Sequence, residues 1–302
     1  MADILIHLVL MIVMPPLLFG VINRTKAAFA GRSGAPLLQP YYDLFRLLQK
    51  GSVFSRTTTW VFRAGPVVTL AATFTAALMI PFGNHAPPLS FNGDMILFVY
   101  LLALGRFFTT VAALDTGSSF EGMGAAREVT FSCLVEPVIF IALLVLSRLS
   151  GSLSLAGILT HSSTALWMTS GAALVMLVVG LFFVLLVENC RIPFDDPNTH
   201  LELTMIHEVM VLDHSGPAFG MILYGAALKL YILSAFFLHV LLPLRVAGSL
   251  LDWLVFVMSI ILLSVTIGVV ESCMARYRLV RVPQMLLSAG VLAAFALMLV
   301  VR

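Results

Sequence analysis

The sequence predicts an all-α, polytopic membrane protein with eight transmembrane helices and one cytoplasmic interfacial amphipathic helix. Composition is the first reason. Hydrophobic residues make up 60% of the 302 positions and charged residues only 11%, and the mean hydropathy is +1.05, far outside the range of soluble domains. The second reason is that the apolar residues are gathered into runs, eight of which approach the about 20 residues a helix needs to cross a bilayer. They cover 2–21, 64–82, 94–114, 129–147, 169–187, 217–242, 252–271 and 284–301. The chain reads as one integral membrane domain over 1–302, with cytoplasmic loops at about 22–63, 115–128, 188–216 and 272–283. The net charge of +2 points to no nucleic-acid partner, because in such a chain the distribution of charge matters more than its sum. The first run has no basic flank or small-residue cleavage site and is expected to be a retained span.

Orientation follows from the basic residues between the runs. Arg24, Lys26, Arg32, Arg46, Lys50, Arg56, Arg63, Arg127, Arg191, Arg276, Arg278 and Arg281 fall on one side, and Arg148, Arg245 and Arg302 on the other. The positive-inside bias then puts the odd-numbered loops in the cytoplasm and both termini outside. In the first loop, PYYDLFRLLQKG spaces Tyr41, Leu44, Phe45 and Leu48 as one apolar helical face, with Asp43 and Arg46 on the other. Such a helix is a lipid-surface anchor or a lid over a ligand entrance. DTGSSFEGMGAARE, from Asp115 to Glu128, supplies a glycine-rich turn, either a compact solvated loop or a contact surface.

Arg106, Glu136 and Lys229 lie inside spans and Glu271 lies near the end of one. Ionisable groups there cost free energy unless they face protein or water, which makes them functional candidates. Lys229 is about twelve residues from either end of its span, roughly 18 Å, too deep to snorkel. Glu136, which precedes Pro137, is the expected partner by type.

The titratable groups concentrate in ENCRIPFDDPNTHLELTMIHEVMVLDHSG, from Glu188 to Gly216. Glu188, Asp195, Asp196, Glu202, Glu208 and Asp213 are six of the fifteen acidic residues of the chain, and Arg191, His200, His207 and His214 lie among them. Glu188 and Arg191 are spaced for a local ion pair before Pro193 and Pro197 stop the helix. Thr199 and Glu202 have capping-box spacing, which predicts a new helix burying Met205, Val209 and Leu212. Histidines with carboxylates at a membrane surface suit proton handling. Docking of a charged cytoplasmic partner is the competing use, compatible with the first. Zinc is not expected, since there is no HExxH and no cysteine cluster. Cys133, Cys190 and Cys273 are far apart and read as small buried hydrophobes.

The pattern E-x-x-R-x-P-F-D at Glu188, Arg191, Pro193, Phe194 and Asp195 resembles the signature of the subunit 1 family of respiratory complex I. The run from Gly31 to Pro40, the spacing of Gly124, Arg127 and Glu136, and the long first cytoplasmic loop agree with it. After Asp195 the sequence departs, with Asn198 and His200 where that family carries further carboxylates. DDPNTHLELTMIHE is more similar to the equivalent subunit of energy-converting membrane-bound nickel-iron hydrogenases, including formate hydrogenlyases.

That resemblance implies a membrane-anchoring and ion-coupling subunit of an oxidoreductase complex, with no redox site of its own. Its nickel-iron centre and iron–sulfur clusters would lie in partners: hydrogenase large and small subunits, a ferredoxin-like iron–sulfur subunit and antiporter-like membrane subunits. The expected proton path comprises Glu136, Lys229, Glu188, Glu202, Glu208, His200 and His207. The expected docking residues are Arg191, Asp195, Asp196, Arg127, Asp115, Arg32 and Asp43. Two other readings stay open. One is a quinone-binding subunit of a complex I-like NADH:quinone oxidoreductase, in which the helix at 40–50 gates a lipophilic chamber. The other is an independent ion transporter, weakened by the lack of an internal repeat.

Overall fold

A computed structural model of the chain describes residues 2–160, 164–195, 206–242 and 248–301. Among the described residues all regular structure is helical. The α-helices are α1 (Ala2–Phe29), α2 (Gln39–Leu48), α3 (Trp60–Ala77), α4 (Asp94–Asp115), α5 (Ser119–Ser150), α6 (Leu155–Thr160), α7 (Thr164–Glu188), α8 (Gly216–Leu241), α9 (Ser249–Cys273) and α10 (Val282–Val301). Seven of them, α1, α4, α5, α7, α8, α9 and α10, are long and apolar enough to cross a membrane, which makes this a multi-pass membrane protein.

The expected eighth span, 64–82, is where sequence and structure part. Its helix is α3, whose 18 residues include Arg63, Gly65, Pro66 and three threonines and which is not among the seven. The threonines are used inside the bundle. Thr69 Oγ1 donates to the Gly105 carbonyl of α4 at 3.0 Å, and Thr73 Oγ1 to Thr69 O at 2.9 Å. Helix α3 nevertheless runs the full length of the bundle. Its N-cap Thr59 is bonded to Asp115 at the end of α4, and after its last turn the Gly83 carbonyl meets His239 at the end of α8.

These contacts define two ends. At one end Asp3, His85, Asp94, Ser154, His239 and Asp252 gather; at the other lie Lys26, Asp115, Asp195, Asp213, Glu271 and Arg276. Apolar side chains do not by themselves drive helices together in lipid, so close approach and internal polar bonds decide the packing. A Cβ built at Gly65 would lie 2.9 Å from Ala112 Cβ, and one at Gly268 would lie 2.8 Å from Thr25 Cβ, so α3 meets α4 and α1 meets α9 backbone to backbone. Helix α8 is central, with Tyr231 wholly buried between Phe82 and Phe256.

Several local expectations change. Residues 119–128 are not a loop but the first turns of the 32-residue α5, because Ser118 is extended at the N-cap and only 116–118 turn. Helix α2 exists, but its sides divide differently. Tyr41, Leu44 and Leu47 are half-buried toward α1 and α8, while Tyr42, Phe45 and Leu48 are exposed. Tyr41 Oη donates to the Val13 carbonyl and fixes that rotation, while the Met11 and Ile12 carbonyls that Pro15 and Pro16 leave free within α1 accept from Tyr224 Oη of α8 at 3.3 and 3.1 Å. Of the helix expected to follow Thr199, 199–205 lie outside the described residues, and among the described ones Val209–Val211 form a 3₁₀ turn. Val209 is buried but Leu212 is 56% exposed, since a three-residue turn does not carry a 3.6-residue stripe onward. Cys133 and Cys273 are exposed on their helices, not buried.

Candidate functional site

Helix α7 ends at Glu188 inside the bundle, and the chain continues as irregular backbone to Asp195. Cys190 takes a positive φ of 49°, and Pro193, on a cis bond to Ile192, offers no N–H to continue the helix. The last carbonyls are still answered, by Arg191 N to Leu186 O at 2.8 Å and Cys190 N to Val187 O at 3.0 Å. Unwound backbone at this depth is tolerated only inside protein or beside a polar cavity, and both conditions hold here.

Glu188 is the pivot. Its side chain is 3% exposed and lies between Lys229 Nζ of α8 at 2.6 Å and Arg106 Nη2 of α4 at 3.1 Å. Arg106 Nη1 reaches Glu136 of α5 at 3.4 Å. The four form an alternating string, Glu136, Arg106, Glu188, Lys229, whose formal charges cancel. Lys229 thus meets Glu188 rather than Glu136, and Glu136 meets Arg106, whose guanidinium bridges Glu136 and Glu188. Proximity in sequence does not pair Glu188 with Arg191 either. Three residues past the helix end, the Arg191 guanidinium lies 3.3 Å from Glu271 of α9 and over the Phe19 ring at 4.6 Å. Glu271 also receives Lys26 of α1 at 2.9 Å. Four residues further, Asp195 pairs with Arg276 at 2.6 Å and accepts the Ile206 N–H at 3.1 Å. One short stretch of broken helix therefore holds three ionic groups together.

A cavity of about 680 Å³, counting its mouth, opens beside this stretch. Arg106, Glu188, Lys229, Glu128 and His207 contribute its charge, and Thr69, Thr73 and Thr109 its hydroxyls. Burial lowers the pKa of His207; Glu128 opposes that shift and Lys229 adds to it. Burial likewise holds His214 at about 4, stacked on Phe62 at 3.9 Å. Cys190 on the cavity wall is pushed well above the ordinary thiol value by burial, with Glu128, Asp195 and Glu188 adding to the shift.

The cavity and its ionic groups bring together Glu136, Glu188, Lys229, His207, Arg191 and Asp195 of the residues singled out from sequence. Glu208 is half-buried beside His207. The others lie apart. Arg127 reaches Met123 Sδ on its own helix, Asp115 caps α3 through Thr59, Asp43 accepts from Gln39, and Arg32 is exposed in the turn after α1. Asp196, His200 and Glu202 fall outside the described residues. Arg106, Glu271, Lys26 and Arg276 complete the ionic groups, although the sequence reading placed none of them in the proton path or the docking set. For Arg106 and Glu271 the signal was their place within an apolar run. Among the described residues no group of three His, Cys, Asp or Glu side chains is arranged to hold a metal ion.

The chain is similar to known proteins over its whole length. It is 31% identical to formate hydrogenlyase subunit 4 of Escherichia coli K12 over 281 residues, covering 91% of this chain and 90% of that one. It is 30% identical to hydrogenase-4 component C of the same organism, covering 89% and 86%. An NADH-quinone oxidoreductase subunit from Rubrobacter xylanophilus matches at 26% over 66% of this chain and 60% of its own. A chain of the membrane-bound sulfane sulfur reductase, an archaeal respiratory membrane complex, has the same fold, with a TM-score of 0.84 at 20% identity over 99% of this chain and 98% of that one. The family described as NADH dehydrogenase matches residues 2–302, and the chain belongs to that family, in the company of complex I subunit 1-type membrane proteins.

Proposed function

We infer that this chain is the membrane subunit of a hydrogenase-type respiratory complex, anchoring a cytoplasmic electron-transfer arm and coupling its redox work to ion movement. The observation that carries the reading is the pivot at Glu188. The same break in the helix, 188–195, holds the intramembrane string Glu136, Arg106, Glu188, Lys229 and leads directly into the acidic stretch at the end of the bundle. A shift of that stretch on partner binding or reduction would be transmitted to Glu188 and change which cation it neutralises. Similarity to formate hydrogenlyase subunit 4 and hydrogenase-4 component C supports a hydrogenase partner.

In this reading the 24–63, 115–128 and 191–214 segments form the docking face. Its partners are the hydrogenase large and small subunits with their nickel-iron centre, a ferredoxin-like iron–sulfur subunit, and antiporter-like subunits within the membrane. That face is cytoplasmic, α3 is the eighth crossing, and both termini are outside; the Lys/Arg asymmetry of the loops supports this. Proton movement uses Glu136, Glu188, Lys229, His207 and Glu208 together with His200 and Glu202. The quinone reading has less support, since the NADH-quinone oxidoreductase relatives match two thirds of the chain at lower identity.

Lys229→Met tests the coupling. The complex should assemble and evolve hydrogen, while its rate loses sensitivity to the membrane potential. Intact potential sensitivity in an assembled Lys229→Met complex would defeat the coupling role.

A further inference from the structure

The end of the bundle remote from the acidic stretch carries a second titratable group, which the coupling role does not use. His85, in the turn after α3, places Nδ1 3.4 Å from Asp3 Oδ1 at the start of α1 and Nε2 3.3 Å from Asp252 Oδ2 in the first turn of α9. Its ring lies flat on Trp253, centroids 4.2 Å apart and planes 2° apart. His239, in the last turn of α8, has the same two-sided arrangement. Nδ1 is 2.7 Å from the Ala235 carbonyl and Nε2 2.9 Å from the Gly83 carbonyl. The turn 83–85 is held from both sides, because Asp252 also accepts the Asn84 N–H at 2.7 Å. Gly83 makes this possible: with φ +62°, a Cβ there would lie 2.5 Å from Asp252 Oδ2.

A neutral imidazole has one donor and one lone pair, so it can answer only one of two facing acceptors. Both nitrogens of His239 contact carbonyl oxygens at hydrogen-bonding distance, while those of His85 lie within ion-pair reach of the two carboxylates, with Nε2 buried and making no hydrogen bond. Only the doubly protonated ring donates on both sides, and for His85 the charge also favours both carboxylates and the indole face. We propose that His85 and His239 form a proton-operated latch that, when protonated, fastens the starts of α1 and α9 and the end of α8 to the 83–85 turn. The titratable groups facing it are Asp3 and, one turn deeper, His7 from α1, Asp252 from α9 and the two histidines themselves. Loss of the protons leaves one acceptor of each ring facing a lone pair and loosens the turn, which Asn84 then still ties to Asp252. Asn84, His239 and Asp252 line a gap of about 470 Å³, counting its mouth, so loosening widens that gap toward the aqueous phase. The latch closes in acid and opens in alkali on that face, whatever the redox partner of the complex.

Hydrogen–deuterium exchange on the purified complex in lipid nanodiscs tests this. After correction for intrinsic exchange, amides within 79–90 and 249–256 should exchange about tenfold more slowly at about pH 5.5 than at about pH 8.5. His85→Gln combined with His239→Gln, which keeps one donor at each site, should abolish the difference. Asp3 is exposed enough that Asp3→Asn spares the fold, and this variant should shrink the difference in the 2–8 peptide. A wild type without the difference, a double variant that retains it, or an unchanged response in Asp3→Asn overturns the latch.

Discussion

Neutralising Glu188 should weaken the complex more than neutralising its partner, and removing both should restore part of the loss. At an effective dielectric of about 20, contacts of 2.6 and 3.1 Å correspond to gross attractions of about 6 and about 5 kcal/mol, set against desolvation of several kcal/mol per ion. Glu188→Gln leaves Arg106 and Lys229 facing each other with only Glu136 opposite. An uncompensated buried charge of this kind costs about 3–5 kcal/mol. Lys229→Met leaves Glu188 with Arg106 and should cost less, about 1–2 kcal/mol. In the double variant Glu136 and Arg106 remain as a neutral pair, so the combined loss should fall at least about 2 kcal/mol short of the sum of the single losses. The assay is the fraction of intact complex after graded heating in detergent, read by size exclusion. Losses that add to within about 0.5 kcal/mol would show that the two groups do not act as a pair, and the proposed pivot would fail with them.

Three further outcomes are expected. His214 is held neutral when folded, with its pKa at about 4 against 6.5 when free, so between those values the unfolded chain binds a proton the folded one does not; stability should fall by up to about 3 kcal/mol as pH drops through that window, and His214→Phe should flatten the midpoint-against-pH curve. Asp195→Ala removes an acceptor of Arg276 and of the Ile206 N–H and should release the soluble subunits at a cost of about 2–5 kcal/mol, seen as loss of co-purification; full retention of those subunits would remove Asp195 from the docking role. Gly268→Leu should separate α1 from α9 and lower the melting midpoint, together with the Lys26–Glu271 contact; an unchanged midpoint would mean that the close approach at Thr25 is not needed for packing.

Much of the fold was legible because hydrocarbon imposes a length and a polarity on any helix that crosses it, and seven runs met both. The run 64–82 also read as a span, but its helix α3 carries Arg63, Gly65, Pro66 and three threonines and is not among the seven; α4 and the loop at Phe54 answer Thr69 and Arg63. The candidate site was half legible. Burial cost alone marks Glu136, Lys229, Arg106 and Glu271, and the density of charge marks 188–216. Which charge meets which is a matter of helix order around the bundle, and local spacing misleads there. Glu188 and Arg191 are three residues apart but point to α8 and α9, because the positive φ at Cys190 ends the helix between them. Histidines 85 and 239 are 154 positions apart, and nothing in sequence pairs the turn that joins them.

The polarity of α3 also bears on how the chain enters the membrane. A segment whose hydroxyls and arginine depend on a neighbour is poorly stabilised when it leaves the translocation channel alone, since the lipid offers its polar groups no partners. Helix α4 supplies both the Gly105 carbonyl and the Asp115 carboxylate that α3 needs, and it is the next helix in the chain, after the connection 78–93. The two are therefore best inserted as a hairpin, and in a chain stalled after α3 but before α4, which α1 still anchors, α3 should stay open to added protease. The threonines that line the cavity of the mature protein thus set the order of its biogenesis.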